Sequence, residues 1–339
     1  MKINFSNSNG VVFALVIFLL MGSFILSCNS TDGSDEKNPA PKAEAPKEEE
    51  WKAPDTASIP LDEHGFAIRY GRDLIANTSK YFGPKGSVAA ITNGMNCQNC
   101  HVEAGSAPFG NSFGGVAAMY PLYRPRSGRI ESIEFRVNDC LQRSMNGKAI
   151  DSLSKEMKAM VAYLQWIGKD VPKKTKPASA GTIELKILDR AADPSKGAAI
   201  FLAKCQVCHG ANGQGQYNAD STAFVYPPLW GKHSFNTGSG MYRLSRFSGF
   251  VKYNMPFKTA DPNMKLTDEE AWDVAAYVNS KPRPEKPFTQ DWPKLYQKAF
   301  DHPYGPYLDT FPASQHKYGP FAPIKKAIAE LPENKKAGK

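Results

Sequence analysis

Two five-residue strings carry the chemistry of this chain: Cys97-Gln98-Asn99-Cys100-His101 and Cys205-Gln206-Val207-Cys208-His209. Each reads C-x-x-C-H, the attachment pattern of a c-type haem. Both thiols can add across the vinyl groups of one macrocycle, and the adjacent imidazole can ligate its iron. A dithiol redox pair has no use for the histidine. A tetrahedral zinc site would need both pairs in one small fold, and here 108 positions separate them. The expectation is two covalently bound haem c, with Cys97, Cys100, Cys205 and Cys208 as anchors and His101 and His209 as iron ligands.

The second axial ligand sets what each iron does. For the second motif the candidates are Met241, Met255 and Met264, with His233 and Lys252 behind. Met255 stands 46 positions past His209 in Tyr253-Asn254-Met255-Pro256-Phe257. The following proline holds its backbone extended and can present the thioether rigidly. A thioether ligand raises the potential, which suits an electron exit. For the first motif the candidates are Met119, Met145 and Cys140. Cys140 lies 43 positions after Cys97 in Arg136-Val137-Asn138-Asp139-Cys140-Leu141-Gln142-Arg143-Ser144. Nearby positive charge favours a thiolate, which is both nucleophile and metal ligand.

The cysteine count sharpens this. Six are present, and the haem motifs use four. Cys28 closes Ile25-Leu26-Ser27-Cys28 after the apolar run 11–26, which resembles a bacterial lipoprotein signal (1–27) with a lipid on Cys28. At 16 residues the run is short for a membrane span, which needs about 20. The expected location is a lipid-anchored position in the cell envelope, on the periplasmic side of a membrane. Cys140 is then the one left over.

The elements that must position these groups come twice. Residues 28–58, rich in Pro, Ala, Glu and Lys, read as a disordered spacer. Unit one, 59–174, opens with a helix carrying Phe66, Tyr70 and Leu74. It reaches the first motif and closes with a helix carrying Met157, Met160, Val161 and Leu164. A Pro/Lys/Gly linker spans 173–182. Unit two, 183–283, repeats the plan: helix 195–204, second motif, then a helix capped at Thr267 with Glu270 in a capping box. Ala271, Val274, Ala275 and Val278 supply its stripe. The expected class is mainly α, with two tandem cytochrome c domains of about 100 residues. Residues 284–339 read as an extended Pro-rich arm with a basic helix at 322–331 and a fraying tail from 332.

Formal charge is +9. The excess points to anionic substrates or acidic partners. Lys and Arg are not interleaved with aromatics, so nucleic-acid binding is set aside.

The segment around Cys140, with Ser234-Phe235-Asn236 and Asn254-Met255-Pro256, resembles the tetrathionate-forming thiosulfate dehydrogenases. These are di-haem cytochromes c related to the SoxA subunit of the sulfur-oxidising complex. The resemblance implies that Cys140 ligates the first haem at the active site. It implies that Arg126, Arg136 and Ser144 hold the sulfur oxyanion, and that Met255 ligates the second haem. The implied reaction joins two thiosulfates into tetrathionate, in either direction, with a soluble or membrane cytochrome as electron partner. Some members carry lysine before the methionine; here that position is Asn254. The alternatives are a non-catalytic electron carrier and a SoxA-like subunit.

Overall fold

The computed structural model describes residues 51–287 and 289–337. The expected signal sequence, Cys28 and most of the expected spacer lie outside these residues. Among the described residues no helix is long and apolar enough to cross a membrane.

Helices dominate. In the first unit, α1 (Glu63–Ala76) starts at Asp62, whose carboxylate accepts the Gly65 amide. α2 (Ile133–Arg143) and α3 (Lys155–Ile167) start at Ser132 and Ser154, whose hydroxyls accept amides three residues on. Such caps satisfy the donors a helix start leaves open. In the second unit, α4 (Pro194–Lys204) has Asp193 as cap and Pro194 in its first turn. α5 (Leu244–Asn254) runs into Met255. α6 (Asp268–Ser280) has the expected capping box, with Glu270 N on Thr267 Oγ1 at 3.1 Å and Thr267 N on Glu270 Oε2 at 2.8 Å.

In each unit the opening helix crosses the closing helix at a glycine. A Cβ on Gly71 of α1 would stand 1.9 Å from the Ala159 carbonyl oxygen of α3. One on Gly197 of α4 would stand 2.0 Å from that of Asp273 on α6. Only a residue without Cβ lets the backbones approach so closely. The α3 stripe buries Met157, Met160 and Leu164, and the α6 stripe buries Ala271, Val274, Ala275 and Val278. On α1 the expected stripe is rotated: Phe66 is 61% exposed, while Ile68, Leu74 and Ile75 are buried. Spacing alone could not rank Phe66 against Ile68, because both fall on helical repeats and the crossing at Gly71 chooses the face.

Strands are short. β1 (Leu122–Arg124) pairs antiparallel with β2 (Arg129–Glu131), and β3 (Gln216–Tyr217) with β4 (Phe224–Tyr226).

Three expectations need correction. Residues 51–58 belong to the folded body rather than a disordered spacer: Trp51 and Ala53 pack on the first unit's core, and Trp51 lies over Gly114. The linker 173–182 is partly seated, with Ser179 and Ala180 buried and the Ser179 and Gly181 carbonyls accepting the Phe109 and Asn111 amides at 2.8 Å. The arm is only partly extended. It contains α7 (Ala313–Tyr318), α8 (Ala322–Glu330) and α9 (Pro332–Ala337), the last where fraying was expected. Its Phe321 and Ile324 are buried in the second unit's core.

Candidate active site

The two motif histidines are set up alike. His101 Nδ1 meets the Asn111 carbonyl oxygen at 2.6 Å, and His209 Nδ1 meets that of Pro227 at 2.8 Å. A carbonyl can only accept, so each ring donates from Nδ1 and keeps Nε2 as its basic nitrogen for a metal. Burial holds both rings neutral: His101 is pushed down to about 4, with Arg136 adding to the effect against the Asn111 bond, and His209 is lowered for the same first reason. The four motif cysteines are free thiols. Burial raises Cys97 to about 11 and Cys100 to about 12, so they stand as thiols rather than thiolates. Free paired thiols beside an oriented neutral imidazole fit covalent haem at both motifs. In the second unit's core, Arg283 adds buried Nε and Nη1 donors without a hydrogen-bond partner, between the rings of Phe235 and Tyr242. A haem carboxylate is the kind of group such donors satisfy.

α2 brings the remaining chemistry to the first motif. Its Val137 packs with Cys97 on one core and with Cys100 on the other. One turn on, Cys140 lies within electrostatic reach of Cys97, Cys100, Tyr120 and Arg136. Arg136 is raised first by Cys140, against burial, and with help from Asp139. Of the alternatives for this site, Met145 is buried in the core and Met119 ends a short turn at Val116–Met119.

The arginines expected here do converge, around an acid that spacing did not single out. Asp139 Oδ2 accepts from Arg126 Nη2 and from Arg136 Nη1, the latter at 2.5 Å, and its Oδ1 accepts from Arg143 Nε at 2.5 Å. Burial alone would raise the Asp139 carboxyl; the three guanidiniums outweigh it and hold it below its ordinary value. Arg126 is lowered to about 10, first by burial and despite Asp139. Ser144 Oγ pairs with Ser239 Oγ of the second unit at 3.0 Å. Asn236 of the same turn donates to the Gln142 carbonyl at 2.9 Å and to Asn146 Oδ1 at 3.0 Å. The first-motif site is therefore lined by both units.

The second motif has a simpler neighbourhood. Cys205 and Met255 pack against one core. Lys252, an alternative ligand, is engaged elsewhere: Nζ donates to the Leu266 carbonyl at 2.7 Å and pairs with Asp268 at 2.9 Å. Asn254 donates to the carbonyls of Phe109 and Phe250. Met241 is buried, and His233 packs near Tyr217 and Phe224.

Comparison with known proteins agrees with this division. The SoxA/TsdA cytochrome c domain family matches residues 87–172, and the cytochrome c family matches 194–281. A thiosulfate dehydrogenase of Psychrobacter arcticus is 40% identical over 245 residues, 71% of each chain. The chain belongs to the thiosulfate dehydrogenase family. A member from Allochromatium vinosum is 38% identical over 71% of this chain and 87% of its own. Among solved structures, a thiosulfate dehydrogenase (TsdBA) from Marichromatium purpuratum, in its as-isolated form, has a TM-score of 0.65 at 26% identity. It covers 80% of this chain, which spans about half (54%) of that longer one. The fold is thus two cytochrome c domains in tandem. The residues that α2 gathers, Cys140 included, fall within the stretch matching the SoxA/TsdA domain.

Sequence reasoning missed Asp139 as a hub, Arg143 as its partner, and Ser239. Asp139 carried a signal, since an acid three residues after one arginine and four before another faces both on a helix. Ser239 carried none.

Proposed function

We propose that this chain joins two thiosulfate ions into tetrathionate at the first motif and delivers the two electrons through the second to an external cytochrome. The observation that carries it is Cys140 on α2, beside the first C-x-x-C-H and next to an arginine cluster. The family's name for this reaction supports it.

In the reaction one sulfur–sulfur bond forms, two electrons leave and no proton is exchanged, so the pocket's task is to manage negative charge. Two unit charges 4 Å apart repel by about 4 kcal/mol at an effective dielectric of 20, and thiosulfate carries two each. Arg126 and Arg136 offset this, with forks matched to sulfonate oxygens. Ser144 donates to the same oxygens. Cys140, beside Arg136, would carry one thiosulfate as a sulfur–sulfur adduct formed as the two electrons leave, and the second thiosulfate would displace the Cys140 thiolate to give tetrathionate. Cys97, Cys100 and His101 with Cys140, and Cys205, Cys208 and His209 with Met255, would each hold one haem c, and the two haems would supply one-electron acceptors. Asn254 puts no amine next to Met255, which favours stable thioether ligation.

Addition of thiosulfate to the purified oxidised protein tests this. Haem reduction with tetrathionate as product is expected; haems that stay oxidised overturn it and favour a plain electron carrier. We place a lipid on Cys28 and the protein at the envelope side of a bacterial membrane. Labelled palmitate should enter the wild type and not Cys28→Ala.

A further inference from the structure

Among the described residues, Arg143 is the arginine of the cluster whose three side-chain nitrogens all have protein partners. Its Nε goes to Asp139. Its Nη1 and Nη2 grip the Asp291 carboxylate at 2.7 and 2.6 Å, and Nη1 also faces the Gly238 carbonyl at 3.4 Å. Arg136 gives only Nη1 to the protein. Arg143 is therefore shaped as a bridge, whereas Arg136 keeps donors for a ligand.

Asp291 comes from the C-terminal arm, 148 positions away in the chain. The arm is seated beside it: the Trp292 amide donates to the Arg126 carbonyl at 2.7 Å, and Pro293 fills the space over Gly128, whose φ is +67°. We propose that Asp291 is a positioning residue for the substrate arginines, acting through Arg143 and Asp139, so that the arm completes the thiosulfate pocket. This rests on the assignment of Arg126 and Arg136 to the substrate.

The physics is a sharing problem. Asp139 offers two oxygens to three guanidiniums. A bidentate carboxylate fixes the plane of Arg143 and keeps it on Oδ1. Oδ2 is then left to Arg126 and Arg136, which holds their forks in one orientation. Without Asp291, Arg143 competes for Oδ2 and the other two lose their register. Asp291 also neutralises Arg143, so three arginines and two carboxylates leave one net positive charge rather than two.

The test is steady-state thiosulfate oxidation by the full-length holoprotein, with haem spectra and potentials recorded alongside. Asp291→Asn should raise KM about tenfold, the scale of one charged hydrogen bond, with kcat changed less than about threefold and both haem potentials unmoved. Asp291→Glu should recover part of the loss. Arg143→Gln, which leaves the arm's own backbone contact intact, should raise KM similarly. Asp309→Asn removes a different arm contact, Asp309 to His316 at 3.0 Å, and should behave as wild type. A wild-type KM in Asp291→Asn or Arg143→Gln overturns the proposal. So does an equal loss in Asp309→Asn, which would mean that general arm seating matters rather than this bridge. A wild type that thiosulfate does not reduce sinks the function itself, a result distinct from an active wild type with indifferent variants.

Discussion

At the scale of residues, Cys140 and Arg136 divide the work. In the proposed reaction Cys140 is the sulfur that reacts, and Arg136 is the group that its charge raises most. Cys140→Ser should lower thiosulfate turnover by at least about 100-fold, as loss of a nucleophile does, with haem content retained. Near-normal turnover measured with an acceptor cytochrome would remove Cys140 from the chemistry. Arg136→Lys keeps the charge and loses the fork. It should lower kcat/KM roughly 10- to 100-fold, equivalent to about 1.5–3 kcal/mol for a charged hydrogen bond. A leftover cysteine among basic residues was conspicuous in the chain, whereas the role of Arg136 was only implied by the resemblance. Asp139 was less conspicuous, since its hold on Arg126 depends on the β1–β2 turn that returns residue 126 to α2.

At the scale of elements, two features set the geometry. The first is the glycine crossing that recurs in both units. Gly197→Ala should destabilise by about 1–3 kcal/mol through overpacking, although alanine is the better helix former. A Cβ at Gly240 meets open space, so Gly240→Ala should leave the thermal midpoint unchanged; equal midpoints for the two variants would refute the crossing argument. The second is the start of α5, the helix that delivers Met255. That start is held from far away: Asp301 of the arm accepts from the Ser245 amide at 3.0 Å, Ser245 Oγ at 2.6 Å and Arg243 Nε at 2.8 Å. Asp301→Ala leaves Arg243 without this partner and should cost about 3 kcal/mol, read as a lower unfolding midpoint in denaturant. The helices themselves were readable from caps and stripes. The partner that holds the start of α5 was not, because 56 positions separate it from Ser245.

At the scale of the whole molecule, the arm ties the two sites together: Asp291 reaches the first-motif arginines and Asp301 the helix that ends at Met255. Acid should loosen it. Burial pushes His302 down to about 4, with Lys298 adding to the effect. The unfolded chain, near 6.5, therefore takes the proton first, and stability falls as pH drops from about 6.5 to about 4. Asp301 adds to this from below: burial would raise it, Arg243 and Ser245 outweigh that, and its contribution is lost as pH falls through its depressed value. Thermal unfolding of wild type and His302→Gln between pH 7 and 4 checks it; the variant should lose less over that range, and parallel curves would refute it. By itself the sequence determined two cytochrome c domains, their C-x-x-C-H motifs, the odd cysteine and the helices between, because those signals reside in residue type and spacing within about 50 positions. Only the tertiary structure decided that Asp139 gathers three arginines, that Ser239 of one unit meets Ser144 of the other, and that a C-terminal arm braces both sites. Carboxylates and guanidiniums carry no label for distant partners; which ones pair is set when packing expels water and leaves each buried charge to find its counterpart.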